Sequence, residues 1–102
     1  MKKITAIIRE DAQEGLVDAL RDHGVPGASI ANVKGYGEYV NTYSQDILET
    51  CVKVEIFTEN EVAEKVVKLL MQLTSTGMEG DGIVAITPVD TLYRIRDQKE
   101  IE

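Results

Sequence analysis

The chain has one cysteine, one histidine, one phenylalanine, no tryptophan and two prolines in 102 residues. Each scarcity closes a route. A single thiol, Cys51, forms no intramolecular disulfide, so a reducing compartment fits and the expected location is the cytoplasm. Cys51 and His23 are too few for a zinc site, which needs several such ligands. Eleven Lys and Arg stand against eighteen Asp and Glu, a net charge of −7. That is the wrong sign for a nucleic-acid binder, whose affinity comes from neutralising phosphates. No apolar run approaches the ~18 residues of a spanning helix. Met1-Lys2-Lys3-Ile4 enters a strand pattern directly, without the apolar segment of a signal peptide. Neither membrane insertion nor a nucleic-acid partner is expected.

What is present suits one domain over residues 1–102, long enough to bury a core without staples. Lys3 to Ile8 alternates as a strand, with Ile4, Ala6 and Ile8 on one face. Asp11 is the expected N-cap, with Glu14 as its capping-box partner, of a helix carrying Ala12, Leu16, Leu20 and His23 and stopping at Gly24. Ser29 to Gly37 reads as a second strand and Cys51 to Thr58 as a third, with residues 38–50 a long loop or loose hairpin between them. Val62, Val66, Leu69, Leu70 and Leu73 form the stripe of a second helix. Ile83 to Thr87 is a fourth strand, Thr91 to Arg96 a short fifth, and the tail beyond Asp97 is polar and expected to fray. Strand one plus helix one repeats faintly as strand three plus helix two, at an offset of about fifty residues. The order βαββαβ with a short extra C-terminal strand predicts an α+β, ferredoxin-like sandwich with both helices on one face of an antiparallel sheet. Lys53 and Glu55 point to the other face together with Ala31, Val33 and Ala85, which suggests that an oligomer covers it.

Catalytic constellations are sparse. His23 closes a predicted helix, where a histidine commonly caps or meets the dipole. No catalytic residues and no metal site are assigned. Three stretches suit an anion instead. Thr76-Gly77-Met78-Glu79-Gly80-Asp81-Gly82 permits consecutive backbone N–H groups to form a concave nest, or is simply a helix cap followed by a turn. On a strand, Arg94 and Arg96 would present two guanidinium groups to one side, or protect an edge by charge. Val33-Lys34-Gly35-Tyr36-Gly37 is a strand end that admits close backbone approach, or a turn. Acids concentrate between residues 38 and 61, where Glu38, Asp46, Glu49, Glu55, Glu59 and Glu61 face Lys53 alone.

Taken together, these stretches resemble the PII signal-transduction family across nearly the whole chain. Val33-Lys34-Gly35-Tyr36-Gly37 is similar to the VKG(F/Y)G that leads into its T-loop. Thr76-Gly77 with Gly80-Asp81-Gly82 is similar to the TGxxGDG of its B-loop, and Pro88-Val89 with Arg94-Ile95-Arg96 to its C-terminal PV…RIR. The resemblance implies a cytoplasmic homotrimer that binds adenine nucleotides between subunits. It assigns 38–50 to the T-loop, 76–83 to the B-loop and 94–102 to a C-terminal loop and tail. It implies phosphate contacts from Gly80, Asp81, Gly82, Arg94 and Arg96 within a loop opened by Thr76 and Gly77. Base and ribose contacts are implied near Gly27, Ser29, Gly35, Tyr36, Gly37, Glu55, Phe57 and Thr58. The chain departs from the family where a lysine follows GDG (here Ile83), where a glutamine assists Mg–ATP and 2-oxoglutarate (here Tyr39), and where a lysine meets 2-oxoglutarate (here Cys51). The T-loop is short and lacks the family's modifiable-tyrosine motif, which Tyr39 and Tyr43 do not match.

These departures suggest a divergent PII-like branch that prefers ADP or AMP to Mg–ATP and controls a membrane transporter or enzyme in nitrogen or inorganic-carbon metabolism. Bicarbonate or another small anion is a conceivable co-ligand. Two other classes stay open. One is a ferredoxin-like trimer without nucleotide function, such as a metal-tolerance protein of the CutA kind. The other is a small nucleotide hydrolase using Asp81 or Glu79.

Overall fold

The computed structural model describes residues 1–37, 40 and 47–101. Strands β1 (Lys2–Arg9), β2 (Ser29–Gly35), β3 (Glu49–Thr58) and β4 (Gly82–Pro88) form an antiparallel sheet in the order β2-β3-β1-β4. Helices α1 (Leu16–Asp22) and α2 (Asn60–Thr74) cover one face. The ferredoxin-like α+β arrangement expected from the patterning is the one observed. Alternation sets the core: Ile4, Ala6 and Ile8 from β1 and Val52, Val54 and Ile56 from β3 are buried beneath Leu16, Leu20, Ala63, Val66, Val67 and Leu70.

Several local expectations need correction. Asp11 does not cap a helix. It lies in a 3-10 turn, Glu10–Gln13, where Arg9 Nη1 holds its carboxylate at 2.6 Å. Helix α1 begins later, after Gly15 at φ +76°, a left-handed conformation that interrupts the helical run. His23 is exposed rather than part of the apolar stripe, and its Nδ1 lies 2.8 Å from the Ala19 carbonyl at the helix end. Gly24 does end the turn, at φ +85°. On α2 the inward stripe is Ala63, Val66, Val67, Leu70 and Thr74, whereas Val62 and Leu73 are exposed. A small residue at 63 and a hydroxyl at 74 hid that face. Thr74 satisfies its buried hydroxyl by donating to the Leu70 carbonyl at 2.8 Å.

Strand β2 ends at Gly35 rather than Gly37, and β3 begins at Glu49, so two residues assigned to the 38–50 loop belong to the sheet. Positions 38, 39 and 41–46, with Tyr39 and Tyr43 among them, lie outside the described residues. The expected strand Thr91–Arg96 is instead a hairpin of β5 (Tyr93–Arg94) and β6 (Lys99–Glu100), and β6 occupies the tail expected to fray. Asp97 makes the turn. Its carboxylate accepts from Arg94 Nη1 and from the Lys99 amide, both at 3.1 Å.

One close approach pins the sheet's end. Gly82 pairs with Ile8 at φ +118°, and a Cβ there would sit on the Ile7 carbonyl oxygen. Left-handed strain costs about 1–3 kcal/mol, and the clash adds to it. Gly82→Ala should therefore lower stability by at least about 2 kcal/mol in urea denaturation. Gly27 has open space around its Cβ position, and Gly27→Ala should stay within about 0.5 kcal/mol. Equal effects from the two would contradict the close β1–β4 contact.

Candidate functional site

Thr76 to Gly82 leaves the end of α2 and returns to β4 in a loop closed by one side chain. The Asp81 carboxylate accepts from the Thr76 amide at 2.7 Å, from the Gly77 amide at 3.0 Å and from the Thr76 hydroxyl. The Met78 amide donates to Thr76 Oγ1 at 3.3 Å. Gly77 and Gly80 sit at φ +79° and +85°, which explains the glycines at those positions. The Glu79, Gly80 and Asp81 amides make no hydrogen bond among the described residues. The loop therefore spends its first three donors on its own closure and leaves the next three for another acceptor, as an anion nest requires. Asp81 is held below its usual carboxylate range first by the Thr76 hydroxyl, then by the Thr76 amide, with the Gly77 amide and Arg9 adding to the effect.

Arg9, which patterning did not single out, is the loop's link to the rest of the molecule. Its Nη2 donates to the Thr74 carbonyl at 3.0 Å and its Nε lies 3.4 Å from Asp81 Oδ1. Nε is buried and has no aligned acceptor, so this last contact is one of charge rather than a hydrogen bond. An arginine at the end of a strand carries no motif, and only the fold brings it beside residue 81.

Register divides the expected ligand contacts into two groups. Gly35 pairs with Glu49, Val33 and Arg9 both pair with Cys51, and Gly82 pairs with Ile8. Gly35, Tyr36 and Gly37 therefore lie at the same end of the sheet as Gly80, Asp81 and Gly82. Ser29 pairs with Glu55, Phe57 with Lys3, and Thr58 with Lys2. These residues, with Gly27 ahead of β2 and the hairpin after Pro88, belong to the opposite end. Gly82 and Thr87 are five residues apart on β4, roughly 17 Å at strand rise. One chain does not assemble these groups into one site.

The individual positions vary in suitability. Tyr36 is exposed, and Gly35 has Cys51 Sγ and Val40 Cγ2 within 3.4 Å of a would-be Cβ. Glu55 is on the open face, 3.1 Å from Lys53 Nζ and 4.0 Å from Lys3 Nζ. Phe57 is exposed on that face, but Thr58 is buried on the helix side and donates to the Glu59 carbonyl at 2.9 Å. Arg96 lies in the β5–β6 turn, not on a strand with Arg94, so strand geometry does not align the two guanidinium groups. Ile83 is half-exposed on the open face opposite Ile7, and it brings no charge to the loop. Burial pushes the Cys51 thiol up, the reverse of what a reactive thiolate needs. Among the described residues no cluster of three or more His, Cys, Asp and Glu side chains suits a metal ion. No helix among them is long and apolar enough to cross a membrane.

Because the folded Asp81 carboxyl is the stronger acid, the loop closure it provides is intact above its unfolded value. It is lost as pH falls through the lower folded value. In an NMR titration the Thr76 and Gly77 amide shifts should move together, with a midpoint below 3.8, the ordinary value of the group. A midpoint at or above that value would show that Asp81 does not close the loop.

A family model described as "Nitrogen regulatory protein P-II" matches residues 1–99. A nitrogen regulatory protein P-II of Azospirillum brasilense is 33% identical, over 94% of this chain and 92% of its own. Nitrogen regulatory protein P-II 1 of Methanothermobacter thermautotrophicus is 36% identical, over 94% and 90%. A nitrogen fixation nifHD region GlnB-like protein 1 of Methanothermobacter marburgensis is 33% identical, over 98% of each. With its four-stranded sheet, two helices and glycine loop, the chain belongs to the nitrogen regulatory P-II family of signalling proteins.

Proposed function

We propose that this protein is a cytoplasmic regulator that binds an adenine nucleotide between the subunits of a homotrimer. The observation that carries this is the separation of the candidate contacts to opposite ends of one sheet. A neighbouring copy that brings its Glu55–Phe57 end and its β5–β6 hairpin to this chain's Thr76–Gly82 loop would complete the site. The open sheet face supports such packing, since Ile7, Ala31, Val33, Ile83 and Ala85 interrupt its charged residues. Arg94 would leave or share Asp97 to reach phosphate, and Arg96 is placed in an exposed turn nearby.

Ligand preference follows from charge. Ile83 contributes no cation where phosphate charge is greatest, and one lost charge-assisted hydrogen bond costs about 1.5–3 kcal/mol, at least tenfold in affinity. ADP or AMP is therefore preferred to Mg–ATP. Residues 38–50, acidic in composition, would carry the signal to a basic surface on a membrane transporter or an enzyme, with bicarbonate as a conceivable co-ligand. No chemical step is assigned to the protein. The names of the relatives support a setting in nitrogen metabolism for that output, and inorganic-carbon uptake is the other setting for it.

Calorimetry and thermal-shift measurements with AMP, ADP, Mg–ATP, 2-oxoglutarate and bicarbonate test this, since stabilisation follows ligand concentration over Kd. ADP or AMP should bind at least tenfold more tightly than Mg–ATP. Arg94→Gln should weaken ADP binding about tenfold or more. Tight Mg–ATP binding enhanced by 2-oxoglutarate would overturn the preference. No response to any nucleotide would favour a ferredoxin-like oligomer of another function.

A further inference from the structure

A loop that receives phosphate has a difficulty built into this chain. The group that closes it is a carboxylate. Asp81 turns its oxygens onto the Thr76 and Gly77 amides and stays ionised because those donors favour the charged form. Its negative charge belongs to the loop whose remaining amides would meet the ligand, and like charges at close range repel. Position 83, the next residue of β4 beyond Gly82, is isoleucine. The cation that the structure puts against Asp81 is Arg9.

Arg9 is well anchored. Its backbone ends β1, the strand hydrogen-bonded on both sides by β3 and β4. Its Nη2 fastens to the Thr74 carbonyl at the end of α2, and its Nη1 to Asp11 in the 3-10 turn. The remaining donor, Nε, is shut off from solvent and stands 3.4 Å from Asp81 Oδ1 without an aligned hydrogen bond. A buried N–H without an acceptor is costly, so any shift of the carboxylate toward it is favoured. The guanidinium thus ties Asp81 of the glycine loop to the end of α2 and to the 3-10 turn.

We infer that Arg9 is a positioning residue for the anion site. By pairing with Asp81 it keeps the carboxylate turned onto Thr76 and Gly77, leaves the Glu79, Gly80 and Asp81 amides to the ligand, and offsets the charge that would otherwise oppose a phosphate. This rests on the nucleotide reading above and deepens it. Arg9 touches no ligand in this role and acts through Asp81. Asp11 then becomes a modulator. At 2.6 Å from Nη1 it withdraws part of the positive charge that Arg9 offers to the loop.

The test is calorimetry with ADP and with inorganic phosphate on the wild-type protein and three variants. Arg9→Gln should lose at least about tenfold in ADP affinity. Arg9→Lys, which restores charge but not the fork, should recover most of that loss. A purely structural role would give two variants that track their melting temperatures instead. Asp11→Asn lies on an exposed side chain, so folding is not at stake. It should tighten ADP binding about threefold, the scale of one exposed ion pair. Should Arg9→Gln fail to fold, Asp11→Asn decides alone: tighter binding supports the inference, and unchanged or weaker binding overturns it. Wild-type protein that binds neither ADP nor phosphate overturns the nucleotide reading itself. Wild-type binding with equal affinity in Arg9→Gln overturns this inference only.

Discussion

Side-chain parity along β1 is the constraint from which the other features follow. The strand is hydrogen-bonded on both sides, so its register cannot slip without exchanging the two faces of the sheet. Even positions, Ile4, Ala6 and Ile8, are almost completely buried against the helices. Odd positions, Lys3, Thr5, Ile7 and Arg9, are therefore delivered to the open face and to the strand's end. Parity thus aligns Ile7 with Ile83, and it brings Arg9 out of β1 at the level where the glycine loop re-enters the sheet. The same register makes Gly82 meet the β1 backbone so closely that no side chain fits.

The glycine loop uses the rigidity that this parity creates. Its own turns need positive φ at Gly77 and Gly80, and its closure needs a short acceptor side chain, which Asp81 supplies. Neither requirement fixes how the loop lies against the domain. The contacts of Arg9 to the α2 terminus and to Asp81 do that. An anion site of the proposed kind would differ from one built on a helix N-terminus, because the loop follows a helix and receives no help from the positive end of its dipole.

Much of the fold was legible in the residues because it rests on period and punctuation. Strict alternation in β1 and β3, the glycine stop at residue 24 and the glycine string after α2 are local signals, and the structure agrees with them. The misreadings have non-local causes. Asp11 looks like a cap, but Arg9 claims its carboxylate. Ala63 and Thr74 do not advertise burial, although α2 turns both inward. Arg94 and Arg96 look like strand neighbours, yet Asp97 folds the chain into a hairpin that keeps Arg94 on β5 and puts Arg96 in the turn. The glycines and Asp81 of the candidate site were visible as a motif, whereas Arg9 was not, because only tertiary pairing brings residues 9 and 81 together.

The separation of the candidate contacts to the two ends of one sheet has an arithmetic consequence if each end is half of a site. Two copies joined head to tail complete one site and leave two halves unused, whereas a closed ring completes as many sites as it has subunits. In the proposed trimer, occupancy would therefore be tied to ring closure. Ligand would act as a fastener at each seam, and dilution toward the monomer would lower apparent affinity without altering any side chain. Under that proposal, protein concentration would be a second input beside the nucleotide itself.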